Sequence, residues 1–552
     1  MKTLVIPANL AQELRKLFEA APLESGGVLY CREACGLNDV KLLGVEFSPY
    51  EEDEYRKRTA ESLTVDPVAV NERIQRANRD GLSIVQVHTH PASEQATFSS
   101  VDAAGEDEMM PVIARRLPDR VHATLVLGRS SSSVRFYDRE LNRNDGRIVS
   151  VGAKIERLDH LRVGTIDRFV RSYLALGKGG QAALQDMTIG VVGLGGLGSV
   201  VAEQLSYLGV ERVVLIDPDH VEESNLNRVV GAVPSDVRRN KVEVAAARYR
   251  SVLPSATVDM VVGSIIDERV ARAIVDCDLA FCCTDGHGSR AVLSWLAYQY
   301  LVPVVDVGVQ IDVFDETVAA IAGRVQLVGP GMPCLHCCES LDANRVREEF
   351  MTEEERARDA YVTGAAVAQP AVVTFNSVAA SLATTMLLGL ATPLRLAARM
   401  QTFNAMTGQV RPAEATPKDG CPFCSASSAV FGLGDSLPGI WRKDVGLTVS
   451  RYRFVSFGPV KRVVTQTDAQ AHACTGGIGL VMAGKLPKMA VFACPDGCGQ
   501  TLKINLMRQM GRAWTASVDR IGRLTLSPSV DLSGGCRAHF ILGSNVARVI
   551  YA

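Results

Sequence analysis

The sequence predicts a multidomain α/β protein. Three observations carry that expectation: its length, a complete βαβ unit near its middle, and a Gly/Ser-rich break followed by short strand-like runs. The 552 residues exceed the roughly 250 to 300 at which a single hydrophobic core stops growing, so about three domains are expected. Their expected limits are 1–150, 155–428 and 441–552. The βαβ unit lies between Ile189 and Arg228: an apolar strand, Thr188 to Val192, runs into Gly193, Gly195, Gly196 and Gly198, a helix follows, and a second strand, Arg212 to Ile216, ends in Asp217. Such glycines allow a tight turn and a close approach of backbone to phosphate. The helix N-terminus offers free N–H groups, and an acid at the second strand's end can hold ribose hydroxyls.

These parts alone fit a nucleotide of any kind, NAD included. The residues that follow narrow the choice. Asn225 and Arg228 stand in NLNR, Lys241 follows in RRNKVEVA, and Asp285 ends the strand in CCTDG. Two cations on one triphosphate and a carboxylate for Mg²⁺ suit nucleotidyl transfer, in which pyrophosphate leaves. A dehydrogenase has no use for them. On these residues the segment resembles the Rossmann-like adenylating domain of ubiquitin-activating enzymes and the bacterial ThiF/MoeB superfamily. The resemblance implies ATP and Mg²⁺ as cofactors and adenylation of the C-terminal glycine of a ubiquitin-fold protein.

Composition excludes other classes. Lys+Arg 59 against Asp+Glu 61 leaves a net charge of −2, so the chain shows no nucleic-acid footprint. The N-terminal apolar run is broken by Pro7 and followed by charge, unlike a signal sequence. The most apolar stretch, Ala365 to Leu390, is interrupted by Gln369, Pro370 and Asn376 and is not expected to span a membrane. A cytoplasmic protein is expected. Fourteen cysteines, several in short-spaced pairs, then point to reduced thiols and metal.

The first domain carries a second constellation. A strand from Ser83 to Val87 delivers His88-Thr89-His90-Pro91, and Ser99-Ser100-Val101-Asp102 opens a helix. Histidines at alternate strand positions point the same way and can bind one ion. With Asp102 they make a His₂Asp zinc site with a position left for water, and Glu24 is the candidate to take that water's proton. Ser99-x-x-Asp102 also reads as a helix capping box, and HxHP alone as a surface loop. The whole set closely resembles the motif of JAB/MPN (JAMM) metalloproteases. This resemblance implies an α/β domain with isopeptidase or peptidase activity on ubiquitin-like proteins, Glu24 as general base, and Ser99 stabilising the oxyanion.

Tyr137 to His160 is charged and reads as an irregular connector. Beyond it, Arg168-Phe169-Val170-Arg171 matches the opening Arg-x-x-Arg of the adenylating superfamily, which implies that Arg171 reaches the partner subunit's ATP in a homodimer. A single solvated arginine is the alternative. Cys334-x₂-Cys337 and Cys421-x₂-Cys424 are a structural-zinc signal, because each turn presents two thiolates and four complete a tetrahedron. A redox pair is the competing reading. Ubiquitin-activating enzymes place a nucleophilic cysteine between such pairs. Here only Cys338 precedes Cys421, and Val362 or a neighbour falls at the expected position. Adenylation is therefore expected, with the acceptor left open among a separate conjugating enzyme, a sulfur donor and an amine.

After Cys424 a Ser/Gly-rich stretch to Pro438 reads as a linker. The remainder shows strand-like runs at Met489 to Phe492 and Arg523 to Leu526, with Cys494, Cys498, Cys536 and His539 as a candidate Cys₃His zinc set in a small β-rich domain. It looks like a bacterial domain associated with ubiquitin-like gene systems, and a binding module is expected. The joint expectation is processing and activation of a ubiquitin-like protein. Sulfur-carrier metabolism and an inactive scaffold are the alternatives.

Overall fold

The computed structural model describes residues 2–160, 164, 166–352, 370–425, 428, 430–442, 450–484, 486–495, 500–507, 514–519, 523–527, 529–531, 539–543 and 545–551. The architecture is α/β throughout the first two regions and β-rich in the last.

The first region is a nine-stranded sheet in which Gly26–Cys35 lies between Val40–Pro49 and Ser83–Thr89. Alternation along Gly26–Cys35 sorts its side chains to two faces. Leu29 and Cys31 join Leu10 and Leu14 of the helix Ala8–Lys16. Val28 and Tyr30 join Ile74 of Pro67–Asp80 and Met110 and Ile113 of Ser100–Arg116.

The expected connector is ordered structure instead. Arg143–Asp145, Arg147–Val151 and Ile155–Arg157 are strands, and the middle one pairs in parallel with Thr3–Pro7 over five residues. Ile148 packs on one side of that strand, while Val149 and Val151 join the core of the second region. The charged residues around it concealed this apolar alternation.

The second region is built on parallel strands in the order Leu279–Cys282, Thr188–Val192, Arg212–Ile216, Thr257–Val262. Helices on both faces explain why these strands read as near-continuous apolar runs. The sheet continues on one side into the long hairpin Val304–Phe314 and Thr317–Val328.

On its other side the sheet departs from expectation. The strand Ser450–Ser456 pairs antiparallel with Thr257–Val262, and Val546–Tyr551, His539–Gly543 and Val530–Asp531 follow in the same twelve-stranded sheet. The C-terminal region is thus continuous with the central sheet, and the Arg453 guanidinium bonds Asp259 across the seam at 2.7 Å. The expected strand-like runs fall in Leu486–Ala493 and Leu524–Ser527. The expected linker is packed as well. Val430 is buried in the central core, and Gln299 donates to the carbonyls of Gly434 and Leu437. Apolar residues between its glycines and serines account for the difference.

Contrary to expectation, the helix Val373–Ala391 has the length and apolar composition of a membrane span. Its Ala379, Ala383, Leu387 and Leu390 are buried in the central core beside the helix Gly196–Leu208.

Candidate active sites and metal sites

The strand Ser83–Thr89 pairs His88 with Gly26, which brings the end of one strand beside the start of its neighbour. Ser25 and Thr89 lock the two together: Ser25 N donates to Thr89 Oγ1 and Thr89 N to Ser25 O, both at 2.9 Å. Glu24, 4% exposed, is thereby carried next to His90, its Oε1 3.8 Å from His90 Nε2. The ring nitrogens His88 Nε2 and His90 Nε2 lie 3.2 Å apart. Asp102 completes the cluster at 3.0 Å from His88 and 3.5 Å from His90.

The capping box forms too. Ser99 N donates to Asp102 Oδ2 at 2.6 Å, and Asp102 N to Ser99 Oγ at 3.1 Å. Cap and ligand set are the same carboxylate, so the two readings of Ser99-x-x-Asp102 are compatible. The cap turns Asp102 toward the histidines.

Burial opposes ionisation of Asp102, yet hydrogen bonds from His88 and His90 hold its carboxyl well below the usual carboxylate range. The same bond to Asp102 raises His90 against the effect of burial. Glu24 is pushed the other way: burial raises its pKa despite both histidines. Two imidazole nitrogens, one carboxylate and a more basic neighbouring carboxylate fit a catalytic zinc ion with its base.

The hairpin Tyr55–Arg58/Leu63–Val65 was not expected to matter. Glu24 N donates to Thr59 O at 2.8 Å, Arg58 Nε to Glu24 O at 2.9 Å, and Gly26 N to Tyr55 Oη at 3.0 Å. In sequence, YRKR is only a charged run.

At the second site Gly193 adopts φ +85°, and a Cβ on Gly198 would stand 1.7 Å from Gly193 O. Only glycine permits that turn and that contact. Gly195 caps the helix Gly196–Leu208, and Asp217 accepts from Leu194 N at 2.6 Å and from Asp219 N at 2.8 Å. Asp217 therefore pins the glycine turn, in addition to the ribose contact expected of it. Burial raises its pKa.

Lys241 opens the helix Lys241–Val252, with Nζ 2.8 Å from Asp219 and 4.0 Å from Asp217. Arg228 lies over the helix start, since a Cβ on Gly196 would sit 3.4 Å from Arg228 Cβ or Cδ. Asn225 is buried and accepts from Glu222 N at 3.2 Å, fixing the loop that carries Arg228. A Cβ on Gly193 would meet Thr284 Cγ2 at 3.1 Å. Asp285, the next residue, is exposed at this same end of the sheet. The helix start, the two cations and Asp285 fit a magnesium-bound triphosphate.

Asn376 was missed. It is 5% exposed, and its Nδ2 stands 2.3 Å from where a Cβ on Gly196 would be. A lone Asn in an apolar helix is its only signal in the sequence. Arg171 is exposed as the second residue of the helix Val170–Asp186, which follows directly on the short helix Asp167–Phe169.

The four cysteines of the two CxxC turns are brought together and buried. Cys334 Sγ is 3.7 Å from Cys421 Sγ, and Cys337 Sγ is 3.5 Å from Cys424 Sγ. A zinc tetrahedron with bonds of about 2.3 Å has edges of about 3.8 Å. The cage fits. Cys338 stands beside it, accepting from Gln326 Nε2 at 3.1 Å, and burial raises its thiol pKa. That is the opposite of an activated nucleophile.

Val362 lies outside the described residues, as do Cys498 and Cys536. Of the C-terminal set, Cys494 is buried in the local core and His539 begins the strand His539–Gly543.

Three family models match successive parts of the chain. Residues 7–140 match the prokaryotic homologs of the JAB domain, 169–423 the ThiF family, and 464–550 a family described as bacterial ubiquitination-like system serine protease (BubE). Among curated relatives, tRNA threonylcarbamoyladenosine dehydratase of Bacillus subtilis is 40% identical over 17% of this chain and 37% of its own length. The sulfur carrier protein ThiS adenylyltransferase of Escherichia coli is 25% identical over 45% of this chain and 90% of its own. For the SAMP-activating enzyme E1 of Haloferax volcanii the figures are 29%, 31% and 61%. The chain thus spans well under two thirds of the first of these relatives and slightly under two thirds of the third. In order along its length, the chain carries segments similar to the prokaryotic homologs of the JAB domain, to the ThiF family and to the BubE family.

Proposed function

We propose that the chain processes and activates a ubiquitin-like protein. Its first region cleaves after the C-terminal glycine, and its second adenylates that glycine. The observation that carries this reading is the closure of Glu24 to 3.8 Å on the His88, His90 and Asp102 cluster, in a chain whose next region has the turn and cations for a triphosphate.

In the first reaction, zinc held by His88, His90 and Asp102 would polarise the scissile carbonyl and acidify water. Glu24 takes the proton from that water and returns it to the leaving amine; burial, which makes this carboxylate more basic, suits the task. Ser99 stabilises the oxyanion. In the second, the glycine carboxylate attacks the α-phosphate of ATP, and pyrophosphate leaves. Arg228 and Lys241 neutralise the phosphates, Asp285 holds Mg²⁺, and Arg171 serves the partner's site in a homodimer. The C-terminal region binds a component of the same system; its match to a family of bacterial ubiquitination-like systems supports the link to such a system. The setting is the cytoplasm.

A second reading, activation of a sulfur carrier, is favoured by the raised pKa of Cys338 and by the ThiS adenylyltransferase relative. It leaves the adenylate for a sulfur donor. The deciding experiment is ATP–pyrophosphate exchange with ubiquitin-fold proteins, each supplied with a C-terminal extension and as the form ending in glycine. Exchange with the extended form should require Glu24 and fail in Glu24→Gln, whereas exchange with the trimmed form should survive Glu24→Gln and fail in Asp285→Ala. Absence of exchange with every form sinks the activation reading.

A further inference from the structure

The two groups of reacting residues stand at opposite ends of the joined domains. In the first region, Gly26 and its partner His88 mark one end of the sheet, and Cys35, paired with Val40, marks the other. Among the described residues, the bonds to the second region gather at the Cys35 end and along the strands toward the sheet's edge, where Arg399 Nη2 donates to Ala153 O at 2.7 Å. Leu37 N and Asn38 N donate to Asp276 at 3.1 and 3.0 Å, and Lys41 Nζ donates to Cys277 O at 2.6 Å.

In the second region these contacts fall on the N-terminal edge of the parallel strands. Asp276 to Asp278 immediately precede Leu279–Cys282, and Asp278 accepts from Thr188 N, the first residue of its strand, at 2.8 Å. Gly193, Asp217 and Asp285 all follow the C-terminal ends of these strands.

The nine residue steps from Gly26 to Cys35 span about 30 Å, and the five from Thr188 to Gly193 about 16 Å. With the strands meeting end to end, the two sites are about 34 Å apart if the strand directions form a right angle and about 45 Å if they run in line. A body of about 80 residues is itself about 30 Å across. Held at one site, it would need a free tail of about ten to thirteen extended residues to present the same terminus at the other.

We infer that the two sites of one chain serve separately bound molecules: a ubiquitin-like protein trimmed at the first is released to solution and re-enters the second. This rests on the function proposed above. The trimmed form is therefore a free intermediate, open to any other protein that recognises a C-terminal glycine.

The test uses the full wild-type chain, ATP and the ubiquitin-fold protein that supports exchange. Isotope-labelled extended protein is mixed with unlabelled trimmed protein, and the adenylate is weighed by mass spectrometry. Release predicts that labelled adenylate falls in proportion to the unlabelled pool, about twentyfold for a twentyfold excess, because no local concentration favours the new product. Labelled adenylate that resists dilution overturns the inference, whether the molecule passes within one chain or to a partner subunit. Trimming and exchange are also measured separately. If either is absent, the proposed function fails; if both are present and the label is not diluted, only the release inference fails.

Discussion

Arg147 and Asp278 close a buried two-pronged ion pair across the junction of the first two regions, Nη1 to Oδ2 at 3.2 Å and Nη2 to Oδ1 at 3.0 Å. Burial alone would raise the Asp278 carboxyl, but Arg147, Lys41 and the Thr188 N–H together hold it below its ordinary range. Arg147→Met leaves that carboxylate buried without its main partner and should cost about 3–5 kcal/mol. Calorimetric unfolding measures the loss. Adding Asp278→Leu should return most of it, and a double variant as unstable as the single one would show that packing, not charge, dominates there.

His122 supplies a pH dependence. Its ring accepts from Ile84 N at 3.1 Å and lies 3.2 Å from Leu117 O, so the neutral tautomer with Nε2–H satisfies both contacts. Burial lowers its pKa from 6.5 to about 4. The unfolded chain binds the proton first, so this stability is present above pH 6.5 and is lost as pH falls through about 4. The loss approaches about 3 kcal/mol. Denaturant midpoints across that range should move less in His122→Gln than in the wild type.

Two kinds of zinc site predict two kinds of loss. Cys421→Ser should remove about one zinc per chain and lower the unfolding temperature by several degrees, because a closed structural site contributes to folding. His88→Ala should remove a different zinc with little effect on unfolding. Elemental analysis beside thermal scans separates them, and equal destabilisation by both variants would contradict the assignment.

Gly198→Ala drives a Cβ to 1.7 Å from Gly193 O. Pyrophosphate exchange should fall by about a hundredfold or more, a loss of about 3 kcal/mol or more in transition-state binding. Trimming of the extended substrate should persist, since that site belongs to another sheet.

Asn376→Leu keeps the branched shape and removes the amide beside Gly196. Exchange should weaken about tenfold, about 1.4 kcal/mol, chiefly through the KM for ATP. An unchanged KM would restrict Asn376 to packing.

Much of both sites was legible because their chemistry is local in sequence. The glycine turn, the HxHP end of a strand and the paired CxxC turns each fit within a few residues, and spacing alone shows what they can bring together. Glu24, some sixty residues from His88, was reached through family resemblance. What escaped depends on distant partners. Arg58 and Thr59 matter because a hairpin folds back on Glu24, and Asn376 matters because a helix far along the chain covers Gly196. Arg147–Val151 was hidden for a related reason. Its strand is recognisable only once Thr3–Pro7 lies beside it.

The pairing of Ser450–Ser456 with Thr257–Val262 also sets the limits of any shortened form of this protein. Cutting the chain after the fourth zinc-type cysteine, an obvious choice from sequence, would strip a five-residue row of backbone donors and acceptors bare at the border of a large sheet. Such open borders recruit other strands. A truncated protein that clumps or fails to adenylate would then report the loss of a seal, and the contribution of the C-terminal region to recognition is better sought by surface substitutions that leave that seam intact.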